Sequence, residues 1–371
     1  MPRSEGPLPP KAVTTATDSK SSTNALVIET DVLLIGAGPI GIELAVALQW
    51  RVIRYVHLDA GQIGSTIAWY APQTHFFSSP ERIAIAGVPL QTVDQTKATR
   101  EEYLTYLRAV VLQFDLRIET FERVVSLRKS ADGWFDATSV RAAGERQWRA
   151  KNVVLAIGDM HRPRRIDVPG EELPHVSHYL GDPHHYFRRR VLIVGGKNSA
   201  VEAAIRCHRV GAEVTLSYRG RDLDPNRIKF WLLPEIRSLI RDGRVRWLPS
   251  TNLREIHGDR VLLDACEEGA FAGEVLADAV LLLTGYEQDS DLFEQVGVTL
   301  EGEARRPTFD EQTMETDVPG VFVAGTGSAG TQLGGVKEFI ETSHVHVARI
   351  VAALTRTAPP VEAPSYELPE S

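Results

Sequence analysis

The chain has 371 residues, enough at roughly 100–200 residues per domain for two or three domains. With 43% hydrophobic and 24% charged residues its composition is that of a globular protein, neither disordered nor fibrous. A formal net charge of −8 argues against nucleic acid as the main partner, and no run approaches the ~18 consecutive apolar residues of a membrane span.

Residues 1–28 are polar and rich in Pro, Ser and Thr. They lack the apolar centre of a secretory signal and read as a disordered tail, as do residues 356–371. Cys207 and Cys266 are the only cysteines. No C-x-x-C occurs, which excludes a thioredoxin-type dithiol and a four-cysteine zinc site, and a cytoplasmic location is the simplest inference. Cys207 falls in an apolar helix pattern and reads as a buried, inert thiol; Cys266 ends a strand near a turn.

The first strong element is "DVLLIGAGPIGIELAVAL", from Asp31 to Leu48, an apolar strand that turns on Gly36, Gly38 and Gly41 and enters a helix. A lone G-x-G-x-x-G is weak, because small residues also make tight turns for packing. A strand before it and a helix after it are the context that a dinucleotide site requires. Glycine lets backbone N–H groups approach a pyrophosphate, and the helix N-terminus supplies partial positive charge. Asp59, 23 residues beyond Gly36, stands where a carboxylate accepts from a ribose 2′-OH and repels a 2′-phosphate. That suits FAD or NAD.

An aromatic stretch follows, "TIAWYAPQTHFFSSP", with Trp69, Tyr70, Phe76 and Phe77; it is either a structural lid or part of an acceptor pocket. "KNVVLAIGDMHRPR" is an apolar strand ending in Ala156-Ile157-Gly158. The basic run from His161 to Arg165 is a solvated face, or else steers an acidic partner or the phosphates of NADPH. His175, His178, His184 and His185 lack a carboxylate or cysteine at ligand spacing, so a linker is expected there and no metal site.

The second strand–glycine–helix unit is "VLIVGGKNSAVEAAI", from Val191 to Ile205. Counting Gly195 as the first glycine, the middle one is replaced by Lys197, and Asn198-Ser199-Ala200 keep the helix start small and hydrogen-bonding. Its following strand closes on Arg219, with Arg221 two residues on and no acid. The guanidinium fork suits a 2′-phosphate, hence NADPH; a solvated basic turn is the bland alternative. Farther on, Phe230 and Trp231 fit core packing, or a cleft lining. The strand "AVLLLTG" ends at Thr284-Gly285, and "VFVAGTGSAG" runs through strand Val321–Ala324 toward a helix near Gly335. His344 and His346, two apart on that helix, face different sides and cannot pair as ligands. The layout is that of an enzyme with FAD on the first unit and NADPH on the second, the nicotinamide delivering hydride to the flavin.

This arrangement resembles the thioredoxin-reductase-like flavoproteins, and among them the YpdA-type bacillithiol disulfide reductases. The stretches that carry the likeness are "THFFSSPERIAI", "GGKNSAVEAA", "YRGRD", "IKFWLLPE" and "FIETSH", and it covers roughly Asp31 to Val351. It implies an α/β fold with two Rossmann-like, three-layer domains. The FAD domain, residues 29–165 and 285–355, would be split around an inserted NADPH domain, residues 166–284. It also implies FAD contacts from Gly36, Gly38, Pro39, Gly41, Asp59, Gly61, Ser65, Thr66, Ala156, Gly158, Gly325 and Thr326, and from a helix starting near Val336 whose N-terminus faces the flavin ring. NADPH contacts would come from Gly195, Gly196, Lys197, Asn198, Ser199, Ala200, Arg219 and Arg221. A homodimer is implied as well, with a small-molecule or small redox-protein electron acceptor and no nucleic acid or membrane partner.

Two departures stand out. Gly325-Thr326 replaces the Gly-Asp pair of most thioredoxin reductases, a change shared with the YpdA-type proteins. Ile40 stands where those reductases carry a cysteine beside the flavin. The expected activity is therefore NADPH oxidation without a protein dithiol, the acceptor being a low-molecular-weight disulfide or similar. Ferredoxin or flavodoxin reduction and a non-catalytic NADPH/FAD redox sensor are the alternatives.

Overall fold

The apolar run after Asp31 has no polar face, which is the pattern of a strand buried on both sides of a parallel sheet. In the computed structural model, which describes residues 27–333 and 338–358, it lies at the heart of the first sheet. The first unit contains β1 (Val27–Ile35), α1 (Pro39–Trp50), β2 (Tyr55–Leu58), the one-turn helices α2 (Ser65–Ala68) and α3 (Pro80–Ile83), α4 (Arg100–Gln113), β3 (Arg123–Lys129), β4 (Phe135–Arg141) and β5 (Gly144–Leu155). Proline at the first helical position preorganises α1. A capping box between Thr99 and Glu102 starts α4.

A short strand β6 (Arg162–Pro163) leads to β7 (Val176–Ser177), β8 (Arg190–Val194), α5 (Asn198–Arg209), β9 (Glu213–Tyr218), α6 (Leu232–Arg241) and β10 (Val245–Pro249). An antiparallel flap of β11 (Thr251–Ile256), β12 (Arg260–Ala265) and β13 (Gly273–Leu276) precedes β14 (Ala279–Leu282). The chain returns through β15 (Tyr286–Glu287), α7 (Asp291–Val296), β16 (Leu300–Glu301), β17 (Arg306–Pro307), β18 (Val321–Val323) and α8 (Ile340–Thr355).

Two Rossmann-like sheets result. The first has the order β2-β1-β5-β4-β3, with β18 added in parallel to β5. The second is β10-β9-β8-β14-β7 and wholly parallel. β18 and α8 therefore join the first sheet from beyond the second. The pairing of β6 with β15 carries the two crossings side by side. One core holds side chains from β1 through β5 together with Phe293, Met314, Phe322 and Ile350, and two smaller cores flank the second sheet.

Three expectations shift. The last helix starts at Ile340 rather than near Gly335, and Val336 lies outside the described residues. The last strand stops at Val323, one residue short. Phe230 is 66% exposed, and the half-buried Trp231 beside it joins no hydrophobic core either. Cys207 is buried and Cys266 exposed. Among the described residues no helix is long and apolar enough to cross a membrane.

Candidate functional site

The carboxyl ends of β1, β5 and β18 converge, the crevice where open α/β sheets take their ligands. Backbone hydrogen bonds set the edges: Ala156 N–H donates to Ile35 O at 2.8 Å and Ala324 N–H to Leu155 O at 3.0 Å. The three glycines of the first turn do different work. A Cβ on Gly36, at φ +107°, would lie 2.3 Å from Ala156 O, and one on Gly41 would lie 2.0 Å from Gly36 O. These two are glycine because strand and helix pack there. A Cβ on Gly38 would meet nothing within 4 Å. Gly38 caps α1 without a side-chain hydrogen bond, so the first-turn N–H groups beside Pro39 face open space. That opening fits a pyrophosphate.

Asp59 closes β2. Its carboxylate accepts from Ala37 N–H at 2.6 Å and Gly61 N–H at 2.7 Å, so it shapes the glycine turn. Burial raises its pKa above the ordinary carboxylate value, against the pull of those two donors. Gly64, at φ +65°, turns the chain into Ser65 and Thr66 at the head of α2. On the far side, Gly158 and Thr326 approach each other: a Cβ on Gly158 would sit 3.7 Å from Thr326 Oγ1. Gln288 ties these segments, its Nε2 donating to Gly158 O at 3.3 Å and Gly327 O at 2.8 Å. Gly325 N–H donates to His346 Nδ1 at 3.2 Å, and burial holds that imidazole near pKa 4, neutral and able to accept. Ile40, 5% exposed, packs against Gly325, where a Cβ would lie 3.4 Å from its own. It offers only aliphatic carbon.

The second turn is built likewise. A Cβ on Gly195 would strike Leu283 O at 2.6 Å, and one on Gly196 the Tyr218 ring at 2.4 Å. Lys197 caps α5 in extended conformation with its side chain exposed, and Ala200 is buried beneath. Asn198 Oδ1 accepts from Lys229 N–H at 2.8 Å, so that side chain braces a loop, while the neighbouring Ser199 is exposed. Partial desolvation of its side chain, and then Arg227, Arg164 and Arg219, lower the pKa of Lys197. Four cations thus gather beside the helix start. Arg164 comes from the basic run whose role was open, and Arg227 carried no motif. Arg221 instead pairs with Glu267 at the surface.

The units meet across a junction that spacing could not show. Tyr70 is raised in pKa by burial, then by the charges of Asp159, Tyr286 and Glu202, which come from both units. Trp69, Tyr179 and Tyr286 form a chain with ring centroids 5.8 and 6.0 Å apart. Phe77 meets Trp231 at 6.0 Å, with Lys97 Nζ 3.8 Å over the indole. Arg206 on α5 reaches the first unit, donating to Thr74 Oγ1 at 2.7 Å and to Pro72 O. Among the described residues no three of His, Cys, Asp and Glu converge on a metal position.

The family described as "Pyridine nucleotide-disulphide oxidoreductase" matches residues 33–325. The chain belongs to it. It is 34% identical over 330 residues to "Bacilliredoxin reductase Bdr" of Bacillus subtilis (strain 168), covering 89% of this chain and 99% of that one. It is 30% identical over 321 residues to a "Ferredoxin–NADP reductase" of Granulibacter bethesdensis, covering 82% and 83%. The solved structure "Bacillithiol Disulfide Reductase Bdr (YpdA) from Bacillus cereus" superposes with a TM-score of 0.83 at 34% identity, covering 88% of this chain and 99% of that one. The protein is a flavin-dependent NADPH oxidoreductase of thioredoxin-reductase-like fold, with FAD and NADPH as its cofactors.

Proposed function

We propose that this oxidoreductase reduces a low-molecular-weight disulfide with NADPH and without a protein thiol as relay. One NADPH, one proton and one disulfide yield NADP⁺ and two thiols. FAD, when bound, supplies the two-electron carrier between the nicotinamide and the acceptor. The supporting observation is Ile40, packed against Gly325 at the flavin crevice, in a chain whose two cysteines lie elsewhere. Cys207 is buried in the core of the second unit, which pushes its thiol up to about 12, and Cys266 is exposed after β12.

In this reading Gly36, Gly38, Pro39 and Gly41 admit the FAD pyrophosphate, with Asp59 and Gly61 at the ribose. Ser65, Thr66, Ala156, Gly158, Gly325 and Thr326 line the rest. Gly195, Gly196 and Lys197 to Ala200 receive NADPH. Arg219, which makes no ion pair with another described residue, holds the 2′-phosphate; Arg221, engaged by Glu267, has a lesser part. Residues 29–165 with 285–355, and residues 166–284, are the two domains of a cytoplasmic homodimer.

A ferredoxin or flavodoxin acceptor is the second reading, favoured by the aliphatic Ile40 and by the ferredoxin–NADP reductase relative. Flavin absorbance that bleaches on anaerobic NADPH, followed by turnover with small disulfides in a Cys207→Ala/Cys266→Ser variant within about twofold of wild type, is the expected result. Turnover only with a one-electron protein carrier selects the second reading. Flavin reduction with no acceptor turnover points to a redox sensor.

A further inference from the structure

Asp159 carried no motif, yet it occupies the crevice at the carboxyl ends of β1, β5 and β18. It follows Gly158 directly beyond β5. Gln332 Nε2 donates to its Oδ2 at 2.8 Å, and the side chain of Thr326 bonds the same carboxyl group. Burial is the largest influence on it and raises its pKa; no cation contributes an opposing pull. A second acceptor lies close by. Gln288 is buried, and its Oε1 has no partner, while its Nε2 is committed to Gly158 O and Gly327 O. Turning that amide over would set its oxygen against two carbonyls, so the deficit cannot be cured locally.

A buried acceptor such as Gln288 Oε1 is costly without a donor, and the Asp159 carboxylate, which takes donors from Gln332 and Thr326, keeps lone-pair positions for more. What the crevice still calls for is therefore a group rich in donors, one for Gln288 Oε1 and others for the open positions of Asp159. A phosphate would repel Asp159, whereas a chain of hydroxyl groups would supply donors to it. The phosphate-binding position is elsewhere, at the open Gly38 turn. Between that turn and the junction of the two units, a ligand must pass the end of β18, where Thr326 and Asp159 stand.

We propose that Asp159 binds the hydroxyl-bearing chain of FAD, with Thr326 and Gln332 holding its carboxylate in position. This rests on FAD occupying the crevice described above. The test is a titration of apo-protein with FAD, followed by flavin fluorescence. Wild-type apo-protein that fails to bind FAD overturns the crevice assignment and this inference together. With wild-type binding in hand, Asp159→Ala is expected to raise Kd about tenfold or more, the loss of a charge-assisted hydrogen bond. Because residue 326 touches Asp159, adding Thr326→Asp to that variant returns a carboxylate to the same place, and Kd is expected to recover to within about threefold of wild type. An Asp159→Ala Kd equal to wild type overturns the inference, and so does a loss that Thr326→Asp leaves unrescued. Should Asp159→Ala not fold, Asp159→Asn takes its place, with Kd expected to rise about threefold; no change overturns the inference equally.

Discussion

The two arginines that close β9 look interchangeable on paper and are not so in space. Arg219 is exposed beside Lys197 with no ion pair to another described residue, whereas the Arg221 guanidinium already meets Glu267, which Ser250 steadies at 2.6 Å. Arg219→Ala is therefore expected to raise KM for NADPH about tenfold and leave KM for NADH unchanged. Arg221→Ala should change either constant less than threefold or so, since an exposed ion pair contributes little. Steady-state kinetics with both nucleotides check this. Equal losses in the two variants would mean that the Glu267 pair opens when nucleotide binds. Cys207 shows the same dependence on surroundings: burial pushes its thiol up to about 12, so it stays protonated at neutral pH and is a poor nucleophile.

Among the elements, the turn from β1 into α1 separates packing from binding. Gly38→Ala fills open space at an ordinary φ of −73°, so the apo-protein should unfold as wild type does while FAD affinity drops. Gly41→Ala drives a methyl group into Gly36 O and should destabilise the apo-protein by about 1–3 kcal/mol. Urea unfolding of the apo forms beside FAD titration distinguishes them. Beneath that turn His57 is buried, with Nε2 2.9 Å from Gly36 O, and burial lowers it from 6.5 to about 4. The folded state then binds fewer protons than the unfolded chain between those values. Its contribution is complete above about pH 6.5 and falls by about 2 kcal/mol on going from pH 7 to 5. The raised carboxyls of Asp59 and Asp159 have the opposite sign, so the comparison needs a variant. His57→Gln is expected to flatten the acid-side loss of stability in urea unfolding; an unchanged slope would assign that loss to other groups.

At the scale of the whole molecule, Arg206 fastens α5 to the 72–74 segment of the first unit, with Glu202 3.5 Å away as its counter-charge. Arg206→Ala should free the two units to part. Proteolysis at the crossings near residues 158–166 and 284–287 is then expected to quicken several-fold while both cores keep their protection. An unchanged digestion pattern would assign the closed arrangement to the Phe77–Trp231 contact instead.

What the sequence determined by itself was local. Apolar strands, glycine turns and the helices behind them are set by spacing over a dozen residues, and the acid at 59 against the arginine at 219 is the charge contrast from which the two nucleotides were expected. The FAD and NADPH assignments and the two Rossmann-like units followed from that. Only the tertiary structure decided which glycines serve packing and which leave room, because that depends on β5 and β14 lying against the turns. It alone brought Arg164 and Arg227 to Lys197, and Asp159 to Thr326 and Gln332 across more than 160 residues of chain. No periodicity encodes such meetings, since they exist only once β18 has returned from beyond the second unit to pair with β5. Ile40 belongs to both scales: its aliphatic side chain could be read in the sequence, but its place against Gly325 at the crevice came from the fold.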